Sequence, residues 1–266
     1  MHLRKGSVEI NLPNRLKDFC SYTEEPFIIF EQSNLLNKDA YESLVEEIYA
    51  QKNFNFIALG GKKAQEIGGH NLNILKKNTF KSFCEIFLSK KFFNWFKTTH
   101  LPFFKKNIIT IYIYNQNNIF FRICKKIRNL LNLPISFYVT LIEYSSITKG
   151  DFIPPHTDVK QKRLSFVYYL PDKCIKISET MQKDLGTRFW KRKENYEHNL
   201  NKFDSHLLDQ ELTNKFLKNY EESFIAHFVR NKIVGFIKND KSWHTVKKNK
   251  YDYDRRALVI NVFEIY

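Results

Sequence analysis

The sequence predicts an α+β fold that is mainly β, a sandwich or barrel of strands buttressed by helices. Three observations carry this reading. Amphipathic helical patterns fall mostly in the first half of the chain. β-Branched and aromatic runs crowd the second half. No repeat, low-complexity tract or linker divides the two, so the 266 residues read as one domain, with about 1–135 as mostly helical support and about 136–266 as the β core.

Each element follows from local pattern. "FIIF" (27–30) is a short apolar strand, and "NKDAYESLVEEIYAQ" places Leu44, Val45, Ile48 and Tyr49 on one helical face. "GGKKAQEIGG" (Gly60 to Gly69) is punctuated by glycine and lacks the Gly-Lys-Ser/Thr ending of a phosphate loop, so it reads as a turn. Phe80, Phe83, Cys84, Phe87 and Leu88 recur at helical spacing and form a core stripe. "NIITIYIY" (107–114) is strand-like, and residues 119–132 form a helix that Pro134 ends. Strands are then expected at 136–144, 163–170, 186–191, 231–237 and 255–265, with a polar helical insert near 194–222.

Composition narrows the function classes. Apolar content of 43% describes a packed globular chain, and no run is long enough to span a membrane. The N-terminal stretch lacks the apolar core of a secretory signal, so a cytoplasmic location is the expectation. Cys20, Cys84, Cys124 and Cys174 are scattered without a CxxC pair and read as buried thiols, not as disulfides or a zinc site. A net charge of +15 admits nucleic acid or another polyanion as a partner, but the lysine doublets are spread along the chain and by themselves specify nothing. No Ser-His-Asp context or nucleophile elbow occurs.

The chemistry concentrates in "GDFIPPHTDVKQKRLSFVYYLP" (Gly150 to Pro171). On a strand, residues two apart share a face, so His156 and Asp158 converge while Thr157 points away. One imidazole and one carboxylate are an incomplete metal site. His244, in "DKSWHTV", is the candidate third ligand, 88 residues after His156. Two imidazoles and a carboxylate, with no cysteine nearby, suit Fe(II) with open coordination positions.

These residues, with "YYL" after the HxD and an arginine opening the last strand, resemble the Fe(II)- and 2-oxoglutarate-dependent dioxygenases, in particular the prolyl-4-hydroxylase-like branch. The resemblance covers roughly residues 136–266. It implies a double-stranded β-helix (jelly roll), with His156, Asp158 and His244 as the iron ligands. It also implies that Arg255 pairs with the distal carboxylate of 2-oxoglutarate, that Tyr169 hydrogen-bonds the same cosubstrate, and that Tyr144 belongs to that site. O2 would be the oxidant and ascorbate a possible reductant. The implied reaction hydroxylates an unactivated C–H bond of a peptidyl, glycan or small-molecule substrate, with release of succinate and CO2.

The sequence also departs from the branch. Where many relatives have Arg-x-Ser, this chain has Arg255-Arg256-Ala257, and "LGTRFW" keeps a single glycine of a glycine-rich strand. Adjacent arginines point to opposite faces, so Arg256 stays the alternative to Arg255. A non-catalytic basic jelly-roll module binding nucleic acid or another polyanion is the competing function. His198 and His206 fall in the charged insert and read as solvated, while His70, His100 and His227 have no carboxylate partner at strand spacing.

Overall fold

A computed structural model describes residues 1–51, 57–59, 62–69, 71–75, 78–99, 108–115, 119–194 and 210–265. Helix α1 (Lys38–Tyr49) starts where the Asn37 side chain accepts from the Ala40 amide, and α2 (Thr79–Phe87) starts at Asn78 in the same way. Glu47 of α1 also accepts the amides of Thr79 and Phe80, which ties the two helices at that end. α3 (Lys90–Thr99) follows, and together the three helices bury Leu44, Phe80, Phe83, Phe87 and Phe92.

These helices cover one face of a nine-stranded sheet. Its strands are β3 (Ser21–Thr23), β4 (Ile29–Gln32), β5 (Ile57–Leu59), β6 (Lys62–Ile67), β7 (Ile109–Tyr112), β8 (Ile135–Ile147), β10 (Lys162–Tyr169), β13 (Ile233–Ile237) and β15 (Arg255–Ile265). They run in the order β3-β4-β13-β10-β15-β8-β6-β5, with β7 parallel to the start of β8. The centre is the long antiparallel pair β15–β8, in unbroken register from Arg255↔Ile147 to Ile265↔Phe137. Gly235 on β13 is required by packing, because a Cβ there would lie 2.3 Å from the Phe30 ring and 2.7 Å from that of Phe166.

A second sheet of four strands faces the first, in the order β12 (Tyr220–Ala226), β11 (Thr187–Arg192), β14 (His244–Val246), β9 (Ile153–His156). Val167, Tyr169, Phe189, Phe236 and Ala257 fill a core between the two sheets. A hairpin, β1 (His2–Lys5) with β2 (Val8–Asn11), packs on α2. The remaining helices are α4 (Ile119–Leu131), α5 (Glu179–Asp184) and α6 (Gln210–Asn219).

The chain is thus mainly β, as expected, with three differences. The first 135 residues are not mostly helical: they also supply β1 to β7, because short runs such as "FIIFEQ" extend a sheet begun elsewhere in the chain. The segment read as a turn, 60–69, contains strand β6, since pairing with β8 outweighs its weak local strand propensity. Of the cysteines only Cys84 is buried; Cys20, Cys124 and Cys174 are exposed. The insert is helical at α6 and already strand from Tyr220; the calls on His70, His100, His198 and His206 lie outside the described residues. No helix among the described residues is long and apolar enough to cross a membrane.

Candidate metal centre

The 88-residue gap between the two histidines closes by strand pairing. β14 runs antiparallel to β9 with His244 directly opposite His156, and the two rings sit 4.1 Å apart between centroids. Each imidazole is oriented by the same device: His156 Nδ1–H donates to the Pro154 carbonyl and His244 Nδ1–H to the Ser242 carbonyl, both at 2.9 Å and both two residues back in the chain. With Nδ1 engaged, each Nε2 is the free lone pair, the usual way a backbone carbonyl fixes a ligating tautomer. Phe236 packs against the His244 ring at 4.7 Å.

Asp158 lies just beyond the end of β9 and completes the group. One nitrogen from each histidine and one oxygen of Asp158 all fall within 4.8 Å of one another, and His244 Nε2 is 3.9 Å from Asp158 Oδ2. The other oxygen is held by Lys162, whose Nζ donates to Asp158 Oδ1 at 2.6 Å. The Ser165 hydroxyl sits 3.2 Å from Oδ2 and 2.9 Å from the Asn261 side chain. Both carboxylate oxygens are thus held, Oδ1 by Lys162 and Oδ2 by Ser165, with Oδ2 the one near His244.

The electrostatics suit a cation. Burial pushes the His156 imidazolium down to about 3, and the neighbouring His244 adds to this; burial also lowers His244. Burial acts to raise the Asp158 carboxyl, but Lys162, His244 and His156 together outweigh it and hold the group below the ordinary carboxylate range. At neutral pH the three side chains therefore present two neutral imidazoles and one carboxylate, all deprotonated as metal ligation requires. Two nitrogens and one oxygen, without thiolate, is the donor set of a 2-His-1-carboxylate iron centre.

The triad lines a cavity of about 510 Å³, and Arg255 lines the same cavity. Arg255 is 2% exposed, with Nε donating to the Leu185 carbonyl at 2.7 Å and Nη2 to Thr187 Oγ1 at 3.0 Å. No carboxylate among the described residues pairs with it. Burying a guanidinium away from a carboxylate is costly, which sets Arg255 apart from Lys62 and Lys162, the ion-paired cations of the same cavity wall.

The other predicted residues are placed differently. Tyr169 lies on the cavity side of β10 but behind Arg255, whose guanidinium carbon is 5.4 Å from the ring centroid. Its hydroxyl donates to Thr187 Oγ1 at 2.8 Å, and Thr187, not Tyr169, lines the cavity. Tyr144 packs in the core under the helices, whereas its neighbours on β8, Glu143 and Ser145, line the cavity. Burial raises its phenol to about 12, with Arg256 opposing the shift. Arg256 is on that side as well, stacked 3.8 Å over the Tyr49 ring and paired with Asp254 at 3.3 Å.

Sequence reasoning passed over Lys162, Ser165, Thr187 and Asn261. Strand alternation could have found Ser165 and Asn261, which sit opposite each other on β10 and β15. A register shift between Lys162 and Leu164 hides Lys162 from that count. Lys62 and Glu143 form an ion pair on the cavity wall, with Glu66 opposite Glu143 on β6.

No known family profile matches the sequence, and no curated protein does. Among solved structures, the fold is similar to a Pseudomonas putida prolyl-4-hydroxylase (13% identity, covering 88% of this chain and 91% of that one, TM-score 0.49). It is also similar to a prolyl hydroxylase from Trichoplax adhaerens in complex with a peptide fragment of hypoxia inducible factor (12%, 88% and 83%, TM-score 0.43). A third is HygX from Streptomyces hygroscopicus with nickel, 2-oxoglutarate and hygromycin B bound (9%, 88% and 82%, TM-score 0.46).

Proposed function

We propose that this chain is an Fe(II)- and 2-oxoglutarate-dependent dioxygenase that hydroxylates a C–H bond, on a jelly-roll frame formed by the two facing sheets. One observation carries the reading: a cavity that brings together a His-Asp-His group and a buried arginine with no carboxylate partner among the described residues. His156, Asp158 and His244 would hold Fe(II), and Arg255 would take the distal carboxylate of 2-oxoglutarate, which a guanidinium fork matches. When bound, the iron supplies O2 activation coupled to decarboxylation, so that R–H, O2 and 2-oxoglutarate give R–OH, succinate and CO2.

The chain's own residues do the rest. Nδ1–H bonds to Pro154 and Ser242 fix the two imidazoles, and Lys162 and Ser165 fix the carboxylate. Thr187 and the Leu185 carbonyl aim the Arg255 guanidinium, with Tyr169 stacked beneath as support. Val167, Val246, Val259 and Phe236 give the cavity apolar walls that keep water from the reacting centre. A peptidyl side chain or a small metabolite fits the volume. The cavity's two lysines among the described residues, Lys62 and Lys162, are already paired with Glu143 and Asp158, which leaves Arg255 for a single carboxylate and gives a polyanion little to bind.

The test is oxygen-dependent succinate release from 2-oxoglutarate by the purified chain, with and without added Fe(II). Iron-dependent release that disappears in Asp158→Ala supports the reading. A folded protein that forms no succinate under any substrate screen, and retains no iron, contradicts it.

A further inference from the structure

Helix α4 is oriented the wrong way round for a helix that belongs only to its own core. The residue that anchors it is Phe121, which is buried and meets the Phe137 ring edge-on at 5.3 Å. The apolar positions on the other side face outward: Ile123 is 47% exposed, Ile127 45% and Leu130 83%, with Ile119 and Leu131 beside them. At 3.6 residues per turn, Ile119, Ile123, Ile127 and Leu130 fall within an arc of about 80°. Arg122 and Lys126 border that arc on one side, and Arg128 lies beyond Leu131 on the other. Ile109 and Leu133, also exposed, extend the apolar strip past the end of the helix.

The charge around this strip is one-sided. Between Glu85 and Glu143 the chain contains no aspartate or glutamate and nine lysines and arginines. An exposed apolar arc alone names no partner, but an apolar arc bordered by cations and free of acids does. The headgroup region of an anionic bilayer offers acyl chains to the isoleucines and leucines and negative headgroups to the flanking arginines and lysines, whose long stems let their charges stay in water. Nucleic acid would leave the isoleucines without a partner, and an acidic protein groove would have to close around a convex, single helix.

We infer that α4 is an interfacial helix that docks this protein on an anionic membrane surface, lying in the plane of the bilayer with Ile119, Ile123, Ile127 and Leu130 inserted. The helix also has a place relative to the cavity. Phe137, beneath α4, shares a face of β8 with Leu141 and Glu143 of the cavity wall. Docking through α4 therefore sets the cavity beside the membrane, where substrates carried on that surface are concentrated.

The experiment is sedimentation of the full chain with unilamellar vesicles of phosphatidylcholine, with or without phosphatidylserine. Phosphatidylserine vesicles should bind it about tenfold more strongly or better, and added salt should weaken the binding. Ile123→Asp with Ile127→Asp, at two exposed positions, should lower that partitioning about tenfold while leaving the melting temperature unchanged. Arg122→Ala with Lys126→Ala should weaken it to a smaller extent and reduce the salt dependence, which tests the same face without touching an apolar residue. Equal recovery on the two vesicle types, or undiminished binding by both double variants, would overturn the inference. So would a monomer–dimer equilibrium that Ile123→Asp with Ile127→Asp abolishes in a protein that ignores vesicles, since the strip would then belong to a second copy of the chain.

Discussion

The two faces of β15 at its first turn of alternation carry the same side chain in opposite circumstances. Arg256, on the helix-covered face, has its positive charge answered within the protein by the Tyr49 ring and Asp254. Arg255, on the cavity face, has a carbonyl, a threonine hydroxyl and a tyrosine ring, but no carboxylate among the described residues. The same contrast runs along the sheet. One face packs Tyr138, Tyr144, Leu258 and Ile260 into the helices, while the other presents Glu143, Asn261 and Ser165 to a cavity. The difference teaches that one sheet serves two environments, so a residue's phase along β8, β10 or β15 decides whether it packs under the helices or lines the cavity.

Substitutions at five positions test that contrast, beginning with the largest effect. His244→Ala should lower Fe(II) affinity about a hundredfold or more while the protein still melts cooperatively, as read by metal titration and circular dichroism. A folded variant with normal affinity would remove His244 from the centre. Next, Arg255→Ala should weaken 2-oxoglutarate by about 2 kcal/mol or more, roughly thirtyfold, because it removes a buried cation on the cavity wall that no carboxylate among the described residues neutralises. Arg256→Ala should leave that affinity alone and instead lower stability by about 1 kcal/mol through loss of the Tyr49 and Asp254 contacts. The reverse ranking in calorimetry would exchange the roles of the two faces.

Lys162→Met should weaken Fe(II) about tenfold by releasing Asp158 Oδ1, and Lys162→Arg should recover part of the loss, both measurable by competition with a chelator. If the methionine variant binds iron normally, the lysine is a bystander. The smallest effect belongs to Tyr144→Phe, which should change 2-oxoglutarate affinity by less than about twofold, with any cost confined to stability at about 1 kcal/mol. A large change in cosubstrate binding would mean that Tyr144 communicates with the cavity across the sheet.

Much of the site was legible in the residues. Strand alternation and ligand chemistry single out the HxD pair and His244, the family resemblance adds Arg255, and the structure gathers all four around one cavity. The tyrosines were less legible. Tyr144 is one residue out of phase with the cavity face, which only the β8 register reveals, and Tyr169 is in phase but screened by Thr187 and Arg255. Lys162 was invisible because a register irregularity precedes the regular part of β10. In the first half, β6 looked like a turn because its glycine-flanked, lysine-rich run has little local preference, and its pairing with β8 comes from a partner some 80 residues away.

The most direct measurement is the visible absorption of the chain after anaerobic addition of Fe(II) and then 2-oxoglutarate, compared with Asp158→Ala and Arg255→Ala. The account predicts a weak metal-to-ligand charge-transfer band in the natural chain. It should be absent in the aspartate variant, and should appear in the arginine variant only at much higher 2-oxoglutarate. A natural chain that binds no iron and shows no band, or a band that survives in Asp158→Ala, would contradict the claim that this cavity is a 2-oxoglutarate-dependent iron centre.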